Sequence, residues 1–197
     1  MWLAVSRTTP AKWAFRIGAL GAVVVLGVLT ALFLRGPAFW QKQYYPLHYQ
    51  KQIAAAAARH RVSPYIVAAV INAESSWKPG IHSPVGAVGL MQVMPQTARD
   101  LAAAGTVDAK RFPLSELTSP TVNIEYGTAY IRYLVNRYHE IETALSAYNA
   151  GLRHADLWAK QGGDIRAAIE FPETKAYVLK VMRGRDRYQA LYPTSFK

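Results

Sequence analysis

The sequence predicts a mostly α-helical domain with at most a small β element, preceded by one transmembrane helix. Three observations carry that expectation. Residues 17–34 hold no charged side chain. From about residue 46 onward, helix-opening signals and apolar spacings of three and four residues recur to the C-terminus. Only residues 83–93 lack a helical pattern, and they suit a short strand or hairpin. At 197 residues the chain has room for one ordinary domain and an appendage.

The elements follow in order. Residues 1–16 form an N-terminal segment that carries Arg7, Lys12 and Arg16 and no acid. The apolar run 17–34 would span about 27 Å as a helix, close to the hydrocarbon thickness of a bilayer. Basic residues on its N-terminal side favour an orientation with the N-terminus in the cytoplasm, against a weaker contrast from Arg35 and Lys42. The alternative is a cleaved secretion signal. The apolar stretch of such a signal is usually about 7–15 residues, and Gly36-Pro37-Ala38 is a poor cleavage site because of its central proline. An uncleaved anchor is therefore favoured. Residues 35–46, aromatic and punctuated by Gly and Pro, read as a tether at the membrane interface, which leaves 47–197 as the domain.

Within that domain, Ser63-Pro64 places a capping residue before a proline suited to the first helical position. Pro95 opens another helix, which Gly105 closes. Ser119-Pro120 repeats the opening signal, and Ile124, Gly127, Ile131, Leu134, Val135 and Tyr138 then share one face. Ile141, Ala144, Leu145 and Tyr148 mark the next helix. A last one begins near Glu173 and buries Tyr177, Val178, Val181 and Met182.

Composition narrows the function classes. There is no cysteine, hence no disulfide framework and no thiolate metal site. His48, His60, His82, His139 and His154 form no close ligand pair, and neither a phosphate loop nor a dinucleotide fingerprint occurs. No cofactor and no metal are expected. The formal charge is +11. Four of the 23 basic residues and none of the 12 acids lie within residues 1–35, so the remainder carries +7. The run Lys175, Lys180, Arg183, Arg185 and Arg187 reads as a solvated helix face, because no nucleic-acid motif accompanies it. Anionic wall polymers or phospholipid suit an outward-facing domain better than DNA.

Glu74 is the most informative position. It lies seven residues beyond Val67 and continues the apolar stripe of Val67, Val70 and Ile71. A carboxyl there is partly desolvated, which raises its pKa and equips it as a general acid. A buried glutamate bonded to backbone, or a stripe ending at a solvent-facing helix terminus, is the plainer alternative.

Further motifs follow in order: Glu74-Ser75, then Ser83-Pro84-Val85-Gly86-Ala87-Val88-Gly89-Leu90-Met91-Gln92, then Met94-Pro95. Later come Ala147-Tyr148-Asn149-Ala150-Gly151 and Glu173-Thr174-Lys175-Ala176-Tyr177-Val178. Together, over about residues 60–180, they closely resemble the catalytic domain of the soluble-lytic-transglycosylase family, related in fold to goose-type lysozyme. Two positions depart from that pattern: Lys175 stands where arginine is frequent, and the Phe171-Pro172 approach to Glu173 places proline differently.

The resemblance implies an α+β, lysozyme-like domain that cleaves peptidoglycan in the periplasm, tethered to the inner membrane. It makes Glu74 the acid that protonates the glycosidic oxygen. As a base, Glu74 then accepts a proton from the substrate's own C6 hydroxyl, leaving a 1,6-anhydromuramyl end. A substrate that supplies its own nucleophile also explains why the central motif holds one carboxyl group, where common glycosidases use two. Ser83 and Gln92 are expected to hold N-acetyl or hydroxyl groups, and Gly86 and Gly89 to let backbone approach a sugar. Met91 would give an apolar wall, Tyr148 a hydroxyl at the reacting centre, and Asn149 a hold on the helix end or the glycan. Glu173 matches the family's second acid, as a substrate or network partner. Each has a plain packing or capping alternative: a turn for the glycines, core for Met91 and Tyr148, a helix cap for Glu173. A water-delivering lysozyme-type hydrolase and a glycan-binding scaffold without turnover remain as other functions. The expected partners are glycan strands, the membrane, and a protein of wall turnover or of a secretion machine.

Overall fold

The computed structural model describes residues 10–34 and 38–196. Much of the expected N-terminal segment and the start of the tether lie outside the described residues. The chain divides into two compact units, one ending at Tyr44 and one spanning Tyr45–Lys197.

The first unit contains α1 (Pro10–Leu34) and α2 (Ala38–Tyr44). The α1 helix starts seven residues before the apolar run, because Pro10 suits a first turn and the residues after it are adequate helix formers. Its stretch Trp13–Phe33 has a mean hydropathy of 2.1 with no part buried by the protein, and is long and apolar enough to cross a membrane. Residues expected to be tether instead form α2, whose Trp40 and Tyr44 are exposed.

The second unit is helical almost throughout: α3 (Gln50–His60), α4 (Pro64–Ser75), α5 (Pro95–Ala103), α6 (Pro120–Tyr138), α7 (Ile141–Ala150), α8 (Leu152–Ala159), α9 (Ile165–Ala168) and α10 (Pro172–Leu191). Pro64, Pro95, Pro120 and Pro172 each open a helix, where a missing N–H costs nothing. Ser119 caps α6 through Oγ, which accepts from the Val122 N–H. Ser63, expected to cap α4 in the same way, makes no side-chain bond; its carbonyl takes the N–H groups of Ile66 and Val67. Gly105 follows α5 in the left-handed conformation, as the sequence predicts.

The core forms around α4. Ile66 to Ile71 are all buried, so the helix is apolar on every side, as a central helix must be. Against it lies α10, where Gly184 brings the two backbones together; a Cβ at that position would sit 3.2 Å from the Ala69 methyl. α3 joins α6 through a buried ion pair. Glu125, 2% exposed, accepts from the Arg59 guanidinium and from His60 Nε2 at 2.9 Å. Burial pushes that carboxyl's pKa up, but His60 and Arg59 outweigh it and hold the value below the ordinary one.

Residues 83–93 form the expected small β element. His82 pairs with Val88, and Val88 with Val93, both antiparallel. Tyr45 and Pro46, expected in the tether, belong to the domain. Their carbonyls accept from the hydroxyls of Tyr192 at 2.9 Å and Tyr188 at 3.0 Å. Aromatic residues there look interfacial in sequence, yet Tyr45 packs edge-on against Tyr188.

Candidate active site

Glu74 occupies the last turn of α4, partly buried. Beyond it the chain turns sharply, since Ser76 and Trp77 both take positive φ, 49° and 65°. Such conformations cost non-glycine residues roughly 1–3 kcal/mol each and persist only where surroundings enforce them. Here Ser75 Oγ donates to the Ile71 carbonyl at 3.0 Å, and Trp77 Nε1 donates to the Tyr188 hydroxyl at 2.9 Å. The turn fixes where α4 ends and so where the carboxyl stands.

Burial raises the Glu74 pKa from 4.5 to about 7, while the Tyr177 hydroxyl and the Lys180 ammonium pull it back. The C-terminal end of a helix also disfavours negative charge. Near neutral pH the carboxyl is therefore divided between its protonated and ionised forms. Lys180 is anchored beside it, its Nζ donating to the Ala73 carbonyl at 3.1 Å. The buried Tyr177 hydroxyl lies next to Glu74 but meets no acceptor at hydrogen-bonding geometry. Burial, and then the Glu74 charge, push the pKa of Tyr177 and of Tyr148 well above 10, so both stay neutral donors.

Tyr148, at the end of α7, donates its hydroxyl to the Met91 carbonyl at 2.7 Å. That bond ties the 83–93 turn to the site. The turn is held from within by Asn123 of α6, which is fully buried. Asn123 Nδ2 donates to the carbonyls of Val88 (2.8 Å) and Leu117 (2.9 Å), and its Oδ1 accepts from the Met91 N–H at 2.8 Å. Gly89 has φ +76°, and a Cβ there would fall 2.5 Å from Asn123 Nδ2, so only glycine fits. Gly86, at φ +89°, faces open space.

The other expected site residues are placed as follows. Ser83 Oγ accepts from the Ala87 N–H at 2.9 Å and closes the turn. Gln92 Nε2 donates to the Gly89 carbonyl at 2.8 Å, which orients its amide. Met91 is fully buried, its sulfur against Gly127, and so reaches the site through its backbone. Of the two methionines in the motif, Met94 is the one with exposed apolar surface, at 40%. Asn149 Oδ1 accepts from Thr174 Oγ1 at 2.7 Å, which joins the end of α7 to the start of α10. Glu173 is exposed in the first turn of α10. No second carboxylate is among the groups that shift Glu74. Among the described residues no three His, Cys, Asp or Glu side chains gather as a metal site would require.

Sequence reading placed Tyr177 in the core and Lys180 on a solvated face, and it gave Asn123 no part. The spacing of Tyr177 and Lys180, one turn apart on α10, is a usable signal only once α10 is known to lie along α4. Asn123 carries no local signal of its hold on the turn, because its partners there, Met91 and Val88, are 32 and 35 residues away.

Comparisons with known proteins agree with this geometry. The model of the transglycosylase SLT domain matches residues 51–170. A transglycosylase of Enterobacteria phage PRD1 is 37% identical over 138 residues, 70% of this chain and 43% of its own length. A soluble lytic murein transglycosylase of Salmonella typhimurium is 33% identical over 158 residues, 77% of this chain and 24% of its own. An inactive mutant of lytic transglycosylase Slt from Pseudomonas aeruginosa superimposes with a TM-score of 0.68 at 27% identity, covering 75% of this chain and 25% of that one. The chain thus spans less than half the length of these relatives. The family match takes in more than half of the chain, with Glu74, the glycine turn and Tyr148 inside it. The chain belongs to the transglycosylase SLT domain family.

Proposed function

We propose that this chain is a membrane-anchored lytic transglycosylase that cleaves the β-1,4 bond between N-acetylmuramic acid and N-acetylglucosamine in peptidoglycan. The observation that carries the reading is a single partly buried carboxyl, Glu74, held near pKa 7 with no second carboxylate acting on it. Protonated Glu74 gives its proton to the glycosidic oxygen as the C1–O bond breaks. Its carboxylate, steadied by Lys180 and Tyr177, then takes the proton of the muramyl C6 hydroxyl. That oxygen bonds to C1, a 1,6-anhydro ring closes, no water is consumed, and Glu74 is again protonated. Ser83, Gln92, Tyr148, Asn149 and Glu173 serve this reaction as the wall and rim that hold the glycan, while Gly89 and Met91, packed against Asn123 and Gly127, shape the turn behind them. A single glutamate-to-glutamine change marks the inactive Pseudomonas relative, which accords with one indispensable carboxyl.

The α1 helix, exposed and uncharged over Ile17–Phe33, would span the inner membrane with the N-terminus in the cytoplasm and the domain in the periplasm. This reading also includes recruitment by a protein of wall turnover or of a secretion machine.

The test is mass spectrometry of soluble fragments after the detergent-solubilised chain is incubated with purified peptidoglycan, beside Glu74→Gln. Anhydromuropeptides are expected from the wild type, with a loss of about 100- to 10,000-fold in the variant. Reducing ends would mean hydrolysis, and no fragments from either protein would mean a binding scaffold.

A further inference from the structure

A strip of three tyrosines runs outward from Glu74, and the reading above uses only the innermost, Tyr148. Tyr148, whose hydroxyl feels the Glu74 charge, packs against Tyr130 with ring centroids 5.4 Å apart and planes tilted by 46°. Tyr130 in turn stacks on Tyr133, centroids 6.1 Å apart and planes within 11°. Tyr130 and Tyr133 lie one turn apart on α6, so they share a face by helical geometry. Exposure rises along the strip: Tyr148 and Tyr130 are half-buried, and Tyr133 is 42% exposed.

The exposed end of the strip has polar neighbours in sequence. Asn136, one turn beyond Tyr133, is exposed, and Arg137 is held by Asp156 at 2.8 Å. A broad protein interface would present a wider apolar area. A pyranose ring has an apolar face of C–H bonds and a rim of hydroxyls, which matches an aromatic face flanked by amide and guanidinium donors. The strip is also continuous with the place where Glu74 would meet the scissile bond, through Tyr148.

Resting on the transglycosylase reading, we propose that Tyr130 and Tyr133 form a stacking subsite for a sugar of the glycan strand, beyond the two sugars that flank the scissile bond. Tyr133 supplies the open face, and Tyr130 fixes its plane and continues the contact inward to Tyr148. The subsite makes the enzyme prefer strands long enough to reach it.

Two measurements on the full chain in detergent test this. In the first, kcat/KM is compared for long peptide-free glycan strands and for the shortest fragment cleaved, in wild type, Tyr133→Ala and Tyr133→Trp. Loss of one aromatic stack should raise KM for long strands about three- to tenfold. The preference for long strands should collapse in Tyr133→Ala and return in Tyr133→Trp. An unchanged preference, or an equal loss on both substrates, overturns the subsite. In the second, binding of an N-acetylglucosamine hexasaccharide to Glu74→Gln is measured by calorimetry, with and without Tyr133→Ala, beside thermal melts of each variant. Weaker binding at an unchanged melting temperature supports the subsite even if the wild type cleaves nothing, a result that would sink only the transglycosylase reading. Equal binding refutes the subsite whatever the activity.

Discussion

Glu74 is a residue whose usefulness works against the fold. Its carboxyl has a pKa of about 7 in the native protein and 4.5 when fully solvated, so between these values the native state holds more protons than the unfolded one. Stability is highest at and below about pH 4.5, as far as this group is concerned, and falls as pH rises through 7. The total is on the order of 3 kcal/mol, because each pKa unit corresponds to about 1.4 kcal/mol. Glu74→Gln removes the titration while keeping the shape. Its melting temperature should exceed that of the wild type at pH 8, and the gap should narrow toward pH 5. A parallel fall of both proteins across that range would mean that Glu74 is solvated. The sequence carries the main part of this: an acid that continues the stripe of Val67, Val70 and Ile71 is legible as desolvated. Tyr177 and Lys180 were not legible as its neighbours, since they reach it only through the packing of α10 on α4.

At the level of elements, the helices opened by proline declare themselves, whereas α2, α8, α9 and the turn between α4 and α5 do not. Pro64, Pro95 and Pro120 announce their helices, and Gly105 announces the end of α5, because these signals are local. Residues 83–93 are legible only as a break in helical pattern. Their shape depends on Asn123, far along the chain on α6, which closes three backbone groups of the turn and its surroundings at once. Asn123→Ala leaves the Met91 N–H and the carbonyls of Val88 and Leu117 without that partner in a buried place. A destabilisation of about 2–4 kcal/mol is expected from denaturant titration, since stranded buried groups cost roughly 1–3 kcal/mol each and water recovers part. The proposed transglycosylase activity should fall further than the folded fraction, because the Met91 carbonyl also seats Tyr148. An effect below 1 kcal/mol would show that the turn holds itself.

Over the whole molecule, the boundary of the catalytic unit matters more than its sequence suggests. Composition places the tether as far as residue 46, whereas the structure assigns Tyr45 and Pro46 to the domain through Tyr188 and Tyr192. A chain that begins at Tyr45 should therefore fold as well as the intact second unit. One that begins at Leu47 loses two hydrogen bonds and the Tyr45–Tyr188 contact, and should be about 2–3 kcal/mol less stable in urea. Equal stability of the two truncations would return those residues to the tether.

The same clasp has a mechanical consequence. Under the proposed anchoring, a pull along the chain would enter the domain at Tyr45 and Pro46, and the groups that grip them, Tyr188 and Tyr192, lie at the C-terminal end of α10. In the proposed membrane-anchored enzyme, tension between membrane and bound glycan would load the Tyr45–Tyr192 clasp before the stretch of α10 that carries Tyr177 and Lys180. Such a clasp would serve as a strain relief, sparing the end of α4 that carries Glu74.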